Sequence, residues 1–220
     1  MKTPSSWFPV FPLVALLVCS PALQSAELRV WADSPTPQAP FDTWLTAAHE
    51  VQTAVAAAAA GDTILVTNGV YATGGAAAPG QALSNRVALM LPVTLLSVNG
   101  PDVTEIRGAG PSGSGAVRGA YLTSGAALIG FTVSGGSTLT GGTVSDQRGG
   151  GVFIEGQGTV SNCILRANGA AARAGGLYAV GGNGRVLHTT VAENEAPQFA
   201  GVYMVDGGEV DHCTVVSNTA

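Results

Sequence analysis

Three carboxylates crowd one short stretch near the end of the chain: Asp206, Glu209 and Asp211 in VDGGEVDH. Oxygen donors at this spacing, with two glycines to let the backbone curl, suit a hard cation such as Ca2+. They are the candidate binding residues of the sequence, and Ca2+ is the one cofactor they would hold. A cage of about six to eight oxygens does not accompany them, and a solvated turn accounts for the same residues. His188 and His212 each stand one residue before Thr189 or Cys213, with Asn162 in the same place one unit earlier. They read as an exposed polar column rather than as metal ligands. GAGPSG, from Gly108 to Gly113, matches GxGxxG in form, but it contains a proline and no helix follows. Without a helix N-terminus to receive a pyrophosphate, it is a loop.

The elements that would position these groups come from an internal repeat. GGGVFIEGQGTVSNCILRANGA, GGLYAVGGNGRVLHTTVAENEA and AGVYMVDGGEVDHCTVVSNTA are three versions of one unit. Gly151, Gly176 and Gly201 recur every 25 residues, each followed by an apolar pair. Asn168, Asn194 and Asn218 close the units, with Cys163, Thr189 and Cys213 five residues before each Asn. LIGFTVSGG fits the same template, with Phe131 at the Cys position and Gly136 at the Asn position. Short strands repeated at this period predict an all-β chain, a parallel β-helix whose coils stack and bury one continuous core. Coils about 4.8 Å apart place equivalent residues directly over one another. The glycine pair is expected to supply a turn, the apolar pair to face the core, and the Asn to form an inward ladder with its copies. Two coils separate Cys163 from Cys213 by about 9.6 Å, beyond the roughly 7 Å that a disulfide spans. Both are expected as free thiols.

Before the repeats, Trp44, Ala47, Ala48, Val51, Val55 and Ala58 recur at spacings of three and four. That periodicity predicts an amphipathic helix, started by Asp42 or Thr43, stopped by Gly61, and capping the open end of the stack. The following VQTAVAAAAAGDTILVTNGVY (Val51 to Tyr71) resembles the opening of right-handed parallel β-helix proteins of the pectate-lyase-like superfamily. The repeats are also similar to those of bacterial surface β-helix proteins, including polymorphic outer-membrane passengers. The resemblance covers roughly residues 43–220. It implies a right-handed parallel β-helix with an N-terminal capping α-helix, bacterial export, and an association with polysaccharide.

It also implies specific catalytic sets, which the visible coils lack. Family lyases gather carboxylates around Ca2+ on one sheet, with an arginine as base. Here Glu155 aligns with Val180 and Val205, and Glu193 with Ala167 and Ser217, so no acidic stack forms. The paired aspartates of the related hydrolases are missing, since no DD occurs. Arg166 and Arg173 are the only arginines expected near each other in the repeat region. No catalytic residue is assigned. The expectation is a binding or display scaffold that contacts polysaccharide or cell-surface components. The alternative is a polysaccharide lyase or hydrolase with its active site beyond residue 220, for the chain stops at SNTA, halfway through a unit.

Residues 1–26 read as a signal peptide: Lys2, the apolar run FPVFPLVALLV, then small residues at SPA and at Ala26. The apolar run falls short of the ~20 residues needed to span a bilayer, and no later segment could cross one. The expected location is secreted or cell-surface. Residues 27–60 then form a leader with the capping helix, and 61–220 the coils. Beyond Lys2 the chain has eight arginines, no lysine and fourteen carboxylates. That balance excludes nucleic acid as a partner, because phosphate backbones demand clustered cations.

Overall fold

The computed structural model describes residues 25–220, so all but the last two residues of the expected signal peptide lie outside it. The described chain is nearly all β, with nineteen strands in three sheets and one α-helix. A seven-stranded first sheet stacks Glu27–Val30, Thr63–Val66, Thr94–Ser97, Ala127–Ile129, Thr159–Ser161, Arg185–Leu187 and Glu209–Asp211. The second contains Gly69–Tyr71, Thr104–Arg107, Thr132–Ser134, Ile164–Arg166, Thr190–Ala192 and Thr214–Val216. The third contains Ala76–Ala77, Ser84–Leu89, Val117–Leu122, Val152–Glu155, Leu177–Val180 and Val202–Met204. Every strand pair is parallel except Ala76–Ala77 against Ser84–Leu89. From Thr63 on, the chain visits the three sheets in rotation, which is compatible with a β-solenoid.

The core follows from the registers. Leu95, Leu128, Val160 and Val186 pile up in the first sheet, Ile106, Val133, Leu165 and Val191 in the second, and Leu122 and Ile154 in the third. All are fully buried in one cluster. In three-residue strands such as Thr159–Ser161, Arg185–Leu187 and Thr190–Ala192 only the central side chain points inward, because side chains alternate. Each coil therefore adds few core residues and depends on its neighbours for burial.

At the corner between the second and third sheets, the asparagines form the expected register column. Asn168 Nδ2 donates to Asn194 Oδ1 at 3.0 Å, and Asn194 Nδ2 to Asn218 Oδ1 at 2.9 Å. Each Oδ1 also accepts the backbone N–H of the Asn before it, and Gly136 N–H donates to Asn168 Oδ1. Asn168 and Asn194 are buried, and each amide reaches a carbonyl of the preceding coil, that of Val133 or Leu165. Cys163, Thr189 and Cys213 form a second column, each side chain donating to the carbonyl two residues before it. Thr189 lies between the two thiols, and neither cysteine is bridged. Burial pushes the Cys163 thiol up to about 11, whereas Cys213 is half-buried. A thiol reagent at pH 8 should therefore modify Cys213 readily and Cys163 only after denaturant is added. Failure to titrate two thiols in unfolded residues 27–220, which exclude Cys19 of the expected signal peptide, would contradict this register.

Three expectations need correction. The helix spans only Val51–Ala57 and has no side-chain cap. Ala48 instead pairs with the first strand, donating to Arg29 O and accepting from Trp31 N–H, which uses the backbone groups a helix would need. Trp44 is consequently exposed. Val51 and Ala54 are buried, and Gln52 Oε1 accepts the Ala88 N–H of the third sheet at 2.8 Å. Second, the chain does bend at the repeated glycines Gly150, Gly151, Gly175 and Gly176, but none has the left-handed φ that would require glycine there. They are glycines because the next coil approaches too closely for a Cβ. Third, only the first member of each apolar pair faces the core. The second faces outward.

Candidate functional site

Those outward residues build a second, stacked cluster outside the core, covered except at Tyr203. Phe153, Tyr178 and Tyr203 share one register position on the third sheet, with Tyr121 opposite Phe153. Their ring centroids lie 5.8, 5.3 and 5.6 Å apart in the order Tyr121, Phe153, Tyr178, Tyr203. An arginine sits over three of the rings: Arg118 over Phe153 at 4.8 Å, Arg148 over Tyr178 at 5.2 Å, and Arg173 over Tyr203 at 5.5 Å. Distances below about 6 Å place each guanidinium within attraction of a ring face. Arg148 and Arg173 pair with each other across neighbouring coils, so the closest arginines of the repeat region are not Arg166 and Arg173. The sequence signal was present, because 25 residues separate Arg148 from Arg173 as they do the aromatics.

The column changes character along its length. At one end Arg118 is fully buried and donates to Asn85 Oδ1 at 2.8 Å and to the carbonyls of Gly149, Arg148 and Ser145. Burial pushes its pKa down to about 9, which leaves it charged at neutral pH. Asp146, on the same segment, accepts from the N–H groups of Ala82, Leu83 and Thr143. Together they strap the excursion 138–149 over Phe153. The Tyr121 hydroxyl donates to Glu155, and burial followed by that carboxylate pushes the phenol up. At the other end Tyr203 is half-buried and Phe199 is 52% exposed, its ring 4.4 Å from that of Tyr203.

The acidic trio is not gathered into a cage. Glu209 pairs with Arg185 at 2.7 Å, Asp211 pairs with His212 at 2.8 Å, and Asp206 occupies a left-handed turn with φ 65°. The His212 hydrogen bond holds the Asp211 carboxyl below its usual range. Among the described residues, no three His, Cys, Asp or Glu are arranged to hold a metal ion. His188 and His212 stack with centroids 5.1 Å apart, both at positive φ, as is Asn162. Their column is therefore also a backbone requirement, which Asn and His meet better than most non-glycine residues. A groove of about 750 Å3 runs beside the ladder, floored by Gly136, Ser137, Ala170 and Ala196, with Glu195 on its rim. Its walls are small side chains and backbone, and Ser112 and Ser137 there hydrogen-bond each other at 2.9 Å.

No protein-family model, curated protein or solved structure matches this chain. Among the described residues, no helix is long and apolar enough to cross a membrane.

Proposed function

We propose that the chain is an exported or cell-surface protein that binds polysaccharide or other cell-surface components rather than transforming them. Its fold on this reading is a right-handed parallel β-helix with an N-terminal capping helix, of the pectate-lyase-like type that Val51 to Tyr71 resembles. The general hand of parallel crossovers supports the handedness. The observation that carries the function is a pair of arginines recurring over stacked aromatics on successive coils. Phe153 and Tyr178 are covered, and the half-buried Arg148 and Arg173 stand over the rings one coil apart, so partly exposed cationic groups repeat at about 4.8 Å along one line. A linear array of equivalent contacts suits a linear polymer better than a compact ligand. The groove beside the ladder runs across the same coils.

Affinity electrophoresis against a panel of soluble polysaccharides is expected to retard the protein in at least one gel. Polygalacturonate is expected to yield no unsaturated product, with or without Ca2+. Proton abstraction beside a uronate needs a neutralised carboxylate and a base within reach, and the dispersed acidic residues supply neither. A Ca2+-dependent rise in unsaturated-uronate absorbance, lost in Asp206→Ala, would overturn the non-catalytic reading. Fractionation of the producing cell should place the protein outside the cytoplasm.

A further inference from the structure

We propose that Asn183 is a site of spontaneous covalent modification, at which the folded chain deamidates through a cyclic imide and gains a carboxylate. The inference is independent of what the chain binds.

An asparagine precedes a glycine at Asn68, Asn99, Asn168 and Asn183. A following glycine has no Cβ to keep the side-chain amide carbon from the next backbone nitrogen. That nitrogen is the nucleophile, and ring closure needs it and the amide brought into a near-attack geometry. Hydrogen bonds that hold either group elsewhere therefore suppress the reaction.

The fold holds three of these steps. Asn168 is buried, its Nδ2 donates to Val133 O and Asn194 Oδ1, and Gly169 N–H donates to Gly136 O at 2.9 Å. Asn99 Nδ2 donates to Asn68 Oδ1 at 2.7 Å, which ties those two side chains together. Gly69 N–H donates to Val103 O, and Gly100 N–H to Ser97 Oγ, both at 3.0 Å.

Asn183 is different. Its side chain is exposed, and among the described residues neither that side chain nor the Gly184 N–H has a hydrogen-bond partner. It stands in the turn Gly181-Gly182-Asn183-Gly184, between the strands Leu177–Val180 and Arg185–Leu187. Gly181, Gly182 and Asn183 have φ of 88°, 73° and 61°, and glycine on both sides lets Asn183 leave that conformation at little steric cost. Gly184 is buried and its carbonyl accepts the Glu209 N–H at 2.9 Å, so the nitrogen is held while the exposed side chain swings to it.

The chemistry closes without an oxidant or a cofactor. Gly184 N gives its proton to solvent and bonds to Asn183 Cγ. The side-chain nitrogen then leaves as ammonia, taking up a proton, and a succinimide remains. Water adds to either ring carbonyl and breaks that C–N bond, giving aspartate or isoaspartate. The net change is water consumed and ammonia released. Isoaspartate also lengthens the backbone by a methylene, directly before the Arg185 N–H that donates to Gly158 O and sets the coil register.

The test is peptide mapping of the whole chain by mass spectrometry after incubation at mildly alkaline pH. Cleavage after arginine yields Ala174–Arg185, Ala167–Arg173 and Val87–Arg107, which carry Asn183, Asn168 and Asn99 separately. The mass gain of amide-to-carboxyl exchange is expected at least several-fold faster in Ala174–Arg185 than in the other two. Isoaspartate beside aspartate in that peptide marks the imide route, and aspartate alone would overturn it. In urea the rates should draw together, because the held asparagines are released. Asn168 or Asn99 converting as fast as Asn183 in the folded chain would overturn the site. The same ratio in urea as in buffer would show that the fold does not select it. Asn183→Gln, which would have to close a larger ring, should abolish the mass gain in that peptide and keep the melting temperature of the fresh protein. Prolonged incubation should then lower the melting temperature of the wild type and not of Asn183→Gln, and an equal fall in both would overturn the assigned effect on register.

Discussion

Gly176→Ala should destabilise the protein by about 3 kcal/mol or more, although it adds a single methyl group. A Cβ at Gly176 would stand 2.7 Å from Val191 Cγ1 and 3.0 Å from Asn194 Nδ2, with the Gly201 carbonyl closer still. None of these can retreat. Val191 is a fully buried core residue, the Asn194 amide is held in the ladder, and the Gly201 carbonyl accepts the Leu177 N–H at 2.9 Å. Overpacking of a tight core costs about 1–3 kcal/mol, and a displaced ladder bond leaves a buried amide unpaired at about the same cost. For a domain of this size the melting temperature should fall by roughly 10 °C. Gly141→Ala is the matched control: its Cβ meets nothing within 4 Å and its φ is not left-handed. It should be neutral, or gain about 0.4–1 kcal/mol by stiffening the unfolded chain. A loss below about 1 kcal/mol at Gly176 would mean that the coils can part to admit a methyl group.

The same glycines show how far the sequence could be read. Their period, and those of the Asn and Cys/Thr positions, located the coils, because stacking turns an interval in sequence into a contact in space. Their cause was not legible, since close approach and positive φ both demand glycine and leave the same letter. The pairs Val152–Phe153 and Leu177–Tyr178 are a similar case. Both members are apolar, and the outer one is covered by its own neighbours and by an arginine rather than by the core. Arg118 could not be anticipated, because its partners Asn85 and Gly149 lie 33 and 31 residues away, intervals that do not match the 25-residue period. The helix was read too long because Ala48 is spent on pairing with the first strand, a contact with no periodic signal. Of the aromatic–arginine column, the 25-residue interval between Arg148 and Arg173 was visible. The left-handed φ of Phe199 was not.

Asn194→Ala should cost about 3 kcal/mol, because two buried donors lose their acceptor at once. The Asn194 side chain accepts from the Asn168 N–H and Nδ2, both at 3.0 Å, and donates to Leu165 O and Asn218 Oδ1, both at 2.9 Å. Truncation leaves the Asn168 N–H and one Asn168 Nδ2 hydrogen without an acceptor, in a site where Asn194 and Asn168 are each 1% exposed, while the Leu165 carbonyl stays in the strand ladder. Asn218 Oδ1 keeps the Asn194 N–H at 3.0 Å. A buried group without a partner costs about 1–3 kcal/mol, and the cavity left by the amide admits enough water to keep the total below the upper sum of the two. Asn218→Ala should cost distinctly less, because that residue is only half-buried and water can reach the groups it frees. Asn194→Asp preserves shape but replaces two donors with a buried negative charge facing Leu165 O and Asn218 Oδ1, so it should be worse than alanine at neutral pH. Acid should then narrow that gap as the carboxyl takes up a proton and regains a donor. Equal losses at Asn194 and Asn218 in urea denaturation would show that burial does not set the ladder's strength, and an Asp variant as stable as wild type at pH 7 would show that the amide donors do not.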